Sequence, residues 1–120
     1  MSDRLKGCTL LVVEDEFMIL LDLQYLLESE GADVVTAVTV EEGLEAAGAI
    51  YSAALLDVRL PDGDVFPVAE ELSRRQVPLV FHSGHAQAEA ISERFPGATT
   101  LSKPAPETML IEAIARTVEG

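Results

Sequence analysis

Short apolar runs recur along the chain, and each passes at its carboxyl end into polar residues. Cys8 to Val13 leads into Glu14-Asp15, Ser52 to Leu56 into Asp57, Val80-Phe81-His82 into Ser83-Gly84, and Thr100-Leu101-Ser102 into Lys103-Pro104. Runs of this length, β-branched and unbroken by polar alternation, predict strands buried on both faces. The first strand is expected over about Cys8 to Val13, the second over Asp33 to Val38, the third ending at Asp57, the fourth opening after Pro78, and the fifth over Ala98 to Leu101. Between them lie helical segments. Helix 1 follows the first strand, with Asp15 able to cap it and Gly31 to end it. Thr39-Val40-Glu41-Glu42 has capping-box spacing and starts a helix that runs to about Gly48. Pro61-Asp62-Gly63 is turn chemistry, after which helix 3 spans Val65 to Arg75 with Pro67 in its first turn. A polar stretch reaching Phe95 predicts a weak helix 4, broken by Pro96-Gly97, and helix 5 runs from Pro106 to Val118.

Strict alternation of strand and helix implies a parallel sheet with helices on both faces. Five such units in 120 residues make one doubly wound α/β domain, residues 1–120, and that architecture binds ligands outside the carboxyl ends of its strands. The polar strand ends all lie on that edge. Composition narrows the partners. With 21 acidic against 8 basic residues and a net charge of -13, a grip on nucleic-acid phosphates is disfavoured. The single cysteine, Cys8, excludes a disulfide framework and a thiolate metal site, and is expected to pack as a small hydrophobe. Neither a signal peptide nor a run of about 20 apolar residues is present, so the expectation is a soluble, cytoplasmic protein with no membrane contact.

Glu14, Asp15 and Asp57 converge on this edge and would place three negative charges in one crevice. That arrangement forces a proton onto one of them unless a cation intervenes. An all-oxygen ligand set selects a hard ion, and Mg²⁺ fits because it accepts one or two carboxylates and fills its other positions with water and phosphate oxygens. Beside such an ion, Asp57 can act as a nucleophile toward a phosphoryl group. Lys103 would pair with the transferred oxygens, Ser83 could swing to hydrogen-bond them, and the Gly84 amide can approach closely. Each residue also has a plainer role: Glu14 and Asp15 as acids at a helix start, Asp57 as a turn opener, Ser83 as a loop hydroxyl, Lys103 as a solvated cation. Their coincidence at four strand ends favours the joint reading. Lys103 is one of two lysines, and the Pro104 after it allows a cis bond that would aim it inward.

On these residues the chain resembles the receiver domain of bacterial two-component response regulators, over essentially its whole length. The resemblance implies a flavodoxin-like sheet of order 2-1-3-4-5, Glu14 and Asp15 organising Mg²⁺ together with Asp57 and the backbone carbonyl of Arg59, and Asp57 as the phosphoacceptor. Ser83 and Lys103-Pro104 match the family's remaining positions, and the side chains of Arg59 and His85 would flank the phosphate. The implied donor is a sensor histidine kinase or histidine phosphotransfer protein, and the implied output is a protein target or a homodimer. Pro78 to His85 looks like the Phe-Ala-Thr-Gly subgroup of receivers, many of them stand-alone proteins of alphaproteobacteria. Two positions depart from the family: Thr100 stands where an aromatic commonly rotates inward, and Ala105-Pro106 follow Lys-Pro where Phe is frequent.

The expectation is therefore a stand-alone phosphoacceptor that acts as a switch or relay and not as a turnover enzyme. Two alternatives are a small aspartyl-phosphate phosphohydrolase and a scaffold that is not phosphorylated. The hydrolase usually has a second acid two residues after its nucleophile, where this chain has Arg59, and the scaffold is disfavoured by retention of the whole pocket. His82 is expected to be a satisfied histidine packed under a helix. Helix 1 is apolar on more than one stripe, which leaves Met18 or Leu21 to be either core or, beside Ala105 and Pro106, a docking patch.

Overall fold

A computed structural model of the protein describes residues 3–84 and 88–119. Its elements run β1 (Thr9–Val13), α1 (Phe17–Ser29), β2 (Asp33–Ala37), α2 (Val40–Ala46), β3 (Ala53–Leu56), β4 (Arg59–Leu60), β5 (Gly63–Asp64), α3 (Phe66–Arg74), β6 (Leu79–Ser83), α4 (Ala88–Arg94), β7 (Thr99–Ser102) and α5 (Glu107–Glu119). The main sheet is five-stranded and parallel, in the order β2-β1-β3-β6-β7. Numbering its strands alone gives 2-1-3-4-5, the doubly wound order expected. The sequence did not foretell β4 and β5, a two-residue antiparallel hairpin just after β3.

Successive strand residues face opposite sides of a sheet, and here both sides are apolar. Leu10 and Val12 of β1, Ala53 and Leu55 of β3 and Val80 of β6 face one way, onto Leu20, Leu23 and Leu27 of α1 and Leu110, Ile111 and Ile114 of α5. Leu11, Val13, Ala54, Leu56 and Phe81 face the other, onto Val68, Ala69 and Leu72 of α3 and Ile91 of α4. Each fully buried leucine contributes about 1.5–3 kcal/mol, so both layers hold the sheet strongly. Cys8 lies just before β1 and packs partly against the α1/α5 core.

The helix ends show where local sequence decided. Gly31 ends α1 at φ +97°, with its N–H bonded to Glu28 O and the Ala32 N–H to Leu27 O, a Schellman closure. A Cβ there would sit 3.0 Å from Lys6 Cα. At the other end the expected cap is corrected: the N-cap of α1 is Glu16, which makes no side-chain capping bond, and Asp15 lies outside the helix. Asp15 instead places a carboxylate oxygen within 4.8 Å of those of Glu14 and Asp57. The capping box of α2 forms, with Thr39 Oγ1 accepting from the Glu42 N–H at 3.0 Å, although Glu42 reaches one residue further back, to the Val38 N–H. Asp62, in the hairpin turn, adds a second cap by accepting from the Val40 and Glu41 N–H groups at 2.8 and 3.1 Å.

Gly43 on α2 packs against α3, where an added Cβ would lie 2.9 Å from Val68 Cγ2. Overpacking of this kind costs about 1–3 kcal/mol, more than the helix-propensity gain of about 1 kcal/mol from alanine. Gly43→Ala should therefore lower the melting temperature, and Val68→Ala should cost less in that background than in the parent chain. Additive losses in thermal melts of the four proteins would contradict the contact.

Candidate phosphoacceptor site

Backbone hydrogen bonds carry the sheet one residue beyond the strand ends. The Glu14 N–H bonds Ala37 O at 3.0 Å, the Asp57 N–H bonds Val13 O at 2.9 Å, and the Lys103 N–H bonds Ser83 O at 2.8 Å. The predicted site residues are thus held by the same ladder as the core strands, which fixes their spacing to that of the sheet. Glu14, Asp57 and Ser83 are buried, Asp15 is exposed, and the side chain of Lys103 keeps 21% of its exposure. The Lys103-Pro104 bond is cis.

Lys103 Nζ lies 3.1 Å from Glu14 Oε1 and 3.2 Å from Asp57 Oδ1. Glu14, Asp15 and Asp57 each offer a carboxylate oxygen, all within 4.8 Å of one another. At that separation two carboxylates repel by about 3–4 kcal/mol at an effective dielectric of about 20, and one lysine cannot neutralise three of them. The excess charge appears on Glu14. Burial and the neighbouring Asp57 push its pKa from 4.5 up to about 8, and Lys103 offsets only part of this. Asp15 is also raised, chiefly by desolvation, with Asp57 adding to it. Lys103 is held above the ordinary lysine value: burial opposes its charge, but Glu14 and Asp57 outweigh burial.

Ser83 Oγ donates to the Gly84 carbonyl at 3.1 Å, so its hydroxyl is parked on the loop and leaves Asp57 unbonded to it. Arg59, in β4, is exposed. His85 lies outside the described residues. His82 is buried on the Val80 side of β6, beneath the α1/α5 layer, as expected of a packed histidine. It is not satisfied, however, because its Nε2 has no hydrogen-bond partner among the described residues. Thr100 pairs with Phe81 across β6 and β7. The rings around that pair come from elsewhere: Phe66, Phe81 and Phe95 lie 5.5–6.4 Å apart, and Arg94 stacks over Phe66 while pairing with Glu70.

The profile of the response regulator receiver domain matches residues 10–115. The chain belongs to the response regulator receiver family. Among solved structures it is similar to a response regulator receiver protein of Sinorhizobium medicae, at 28% identity and a TM-score of 0.87, covering 97% of this chain and 98% of that one. A CheY-like receiver domain protein of Methanospirillum hungatei matches at 28% identity and 0.84, over 93% and 94%. At 23% identity and 0.80, over 95% and 99%, the receiver domain of a Pseudomonas aeruginosa sensor histidine kinase shares the fold, and that structure holds a magnesium ion in its active-site cleft. No curated protein matches the chain. The chain thus has a receiver fold whose acidic pocket is of the kind that takes phosphate on aspartate with Mg²⁺, and this places it in two-component signalling. The hydrolase and scaffold readings are not favoured. No helix among the described residues is long and apolar enough to cross a membrane.

The cluster fits a divalent cation on its own chemistry: three hard oxygen donors, two of them buried, that together carry more negative charge than Lys103 balances. The raised Glu14 pKa has a definite sign in stability. The folded protein binds a proton that the unfolded chain releases, so this group's contribution falls as pH rises from 4.5 through about 8. In chelator, Glu14→Gln should melt higher than the parent, by a margin that widens across that window in a pH series of thermal scans. A margin that narrows with rising pH would contradict the assignment.

Proposed function

We propose that Asp57 is the phosphoacceptor of this receiver, supported above all by a buried carboxylate held one residue beyond β3 and paired at 3.2 Å with Lys103. In this reading Glu14, Asp15, Asp57 and the Arg59 carbonyl hold Mg²⁺, which when bound neutralises the incoming phosphoryl oxygens and aligns donor with acceptor. The residues of the chain do the rest. Asp57 Oδ attacks phosphorus as the bond to the donor nitrogen breaks, and the histidine imidazole leaves. Lys103, freed from part of its pairing with Glu14, balances the new charge on the phosphoryl oxygens. Ser83 exchanges its bond to Gly84 O for one to the phosphate and draws Gly84 inward. Arg59 sits where the family places a side chain that tunes hydrolysis, and His85 would flank the phosphate from the loop.

The donor is a histidine kinase or a histidine phosphotransfer protein in the cytoplasm. The α1 surface suits it: Phe17, Met18, Leu21 and Tyr25 are exposed by 66%, 72%, 44% and 77%, while Leu20, Leu23 and Leu27 fill the core. The double apolar stripe of helix 1 is therefore half core and half surface, and the surface half is a candidate docking face. Neither nucleic acid nor membrane is a partner in this reading. In this reading the chain works as a switch or relay that passes its state to a protein target or a second copy, and it is not a turnover enzyme. The run at β6 supports a place in the Phe-Ala-Thr-Gly subgroup of receivers.

Intact mass after incubation with Mg²⁺ and acetyl phosphate should show one added phosphoryl group, absent in Asp57→Asn and after chelation. An unmodified parent, with either acetyl phosphate or a phosphorylated kinase, would return the scaffold reading. Repeated turnover of phosphate esters would return the hydrolase. Met18→Glu should slow transfer from a cognate kinase at least tenfold while leaving acetyl phosphate labelling intact; equal loss with both donors would remove α1 from docking. Because Thr100 cannot fill an aromatic pocket, Thr100→Ala should weaken phosphorylation-dependent signalling less than Ser83→Ala, and equal losses would place Thr100 within the switch.

A further inference from the structure

Beyond Asp57 the chain leaves the main sheet as the β4–β5 hairpin, in which Arg59 pairs with Asp64, and Leu60 with Gly63, across the two-residue turn Pro61-Asp62. A two-stranded hairpin is marginally stable by itself, so its surroundings must hold it. Val58, Leu60 and Val65 anchor it in the α3/α4 core, and the Val65 N–H bonds Val58 O at 2.8 Å. The tip is held differently. Asp62 Oδ1 accepts from the Val40 N–H at 2.8 Å and Oδ2 from the Glu41 N–H at 3.1 Å, the first two helical amides of α2. A carboxylate bonded through both oxygens is fixed in orientation as well as distance. Helix α2 already has its own local caps, because Thr39 serves the Glu42 N–H and Glu42 serves the Val38 N–H. The reach of Asp62 from the hairpin is additional to them.

This contact closes a ring around the acidic cluster. From Glu14 the chain steps back to Val13, whose carbonyl takes the Asp57 N–H at 2.9 Å. Asp57 runs on through Arg59 to Asp62, and Asp62 bonds Val40. Val40 leads back to Ala37, whose carbonyl takes the Glu14 N–H at 3.0 Å. Every other link in the ring is covalent. Two of its three hydrogen bonds belong to the main chain and survive any side-chain substitution, whereas the third depends on Asp62. Glu14 and Arg59 are therefore joined by the β1–β3 ladder along one arm and by the Asp62–Val40 bond along the other. Magnesium demands near-ideal octahedral geometry, so donors on two such arms must keep their separation.

We propose that Asp62 is a positioning residue for the metal site: by bolting the hairpin to α2 it holds the backbone carbonyl of Arg59 in place relative to Glu14 and Asp57. The inference rests on the reading of that carbonyl as a magnesium ligand. Without Asp62 the hairpin tip is released from α2, and binding must bear the cost of ordering it. Linkage is reciprocal, so Mg²⁺ in turn tightens the cap on α2.

The probe is Mg²⁺ alone, titrated into the full chain and followed by amide NMR, with acetyl phosphate labelling measured in parallel. Asp62→Ala should weaken Mg²⁺ at least about fivefold, the lower end of ordinary coupling between sites, while its labelling rate at saturating Mg²⁺ stays within twofold of the parent. Asp62→Asn keeps one acceptor oxygen and should lose at least twofold, but less than the alanine variant. Two controls separate positioning from capping and from charge. Thr39→Ala removes a different cap bond of α2, Glu41→Gln removes one negative charge from the same helix end, and each should change Mg²⁺ affinity less than twofold. In the parent, saturating Mg²⁺ should slow hydrogen exchange of the Val40 and Glu41 amides. Asp62 is exposed, and should its alanine variant fail to fold, Asp62→Asn decides against the same controls. A loss in either control as large as in Asp62→Ala overturns the inference, reducing Asp62 to a helix cap or to a surface charge. Undiminished affinity in the Asp62 variants, or exchange at Val40 and Glu41 indifferent to Mg²⁺, overturns it as well and leaves the metal reading standing. A parent with no saturable Mg²⁺ binding overturns the metal reading, and this inference with it.

Discussion

Two buried carboxylates sharing one lysine set the character of this receiver. Glu14 and Asp57 each lie within about 3.2 Å of Lys103 Nζ, and Asp15 stands close enough to add a third charge. No arrangement of these side chains alone is neutral, so the pocket holds a surplus of negative charge at a point where the backbone allows little relaxation. A proton on Glu14 relieves that surplus at neutral pH, and a divalent cation relieves it better because it can serve all three acids at once. The crowding that would make this a poor core suits the proposed phosphoacceptor role, in which positive charge enters together with the phosphate.

The sheet makes that crowding permanent. Three of the four key positions are tied by main-chain bonds that extend the parallel ladder past its strands, and the strands beneath are packed on both faces by leucine, valine and alanine. A side chain placed there cannot retreat into solvent as a loop acid could. The β6–α4 corner is different. Ser83 is anchored by the ladder, yet among the described residues its hydroxyl bonds the next carbonyl, a partner that can be exchanged at little cost. Receivers commonly relay such a movement through an aromatic on the last strand. Here Thr100 occupies that place, and the aromatic mass lies one strand and one helix away, in Phe66, Phe81 and Phe95, with Arg94 tying α4 to α3 through Glu70. If Ser83 moves as proposed, it meets Phe81 two residues earlier on the same strand, with the α3–α4 side as its stiff neighbour.

Much of this was legible in the chain because it depends on local chemistry. Unbroken apolar runs marked strands buried on both sides, polar residues at their carboxyl ends marked the edge, and Thr39, Glu42 and Gly31 marked helix ends that form, with Glu42 bonding Val38 in place of Thr39. Where local chemistry and tertiary charge compete, the sequence misled: Asp15 is a good N-cap residue, but it stands outside α1 beside the carboxylates of Glu14 and Asp57. Asp62 was legible only as a turn residue, and its capping of α2 spans separations of 22 and 21 residues that no spacing rule joins. The unsatisfied nitrogen of His82 was hidden for a similar reason, since a histidine after Phe81 looks the same whether or not the opposing helix brings it a partner.

By itself the sequence determined the order of elements, the family, and which residues stand at the strand ends, because hydrophobic period and capping act over a few residues and need no partner. Only the tertiary structure decided how those ends share charge. The distances among Glu14, Asp57 and Lys103, the division of α1 into a buried and an exposed stripe, and the capping of α2 by Asp62 all come from elements distant in the chain meeting in space. Their energies depend on separation and burial, and neither quantity is set by residue identity alone.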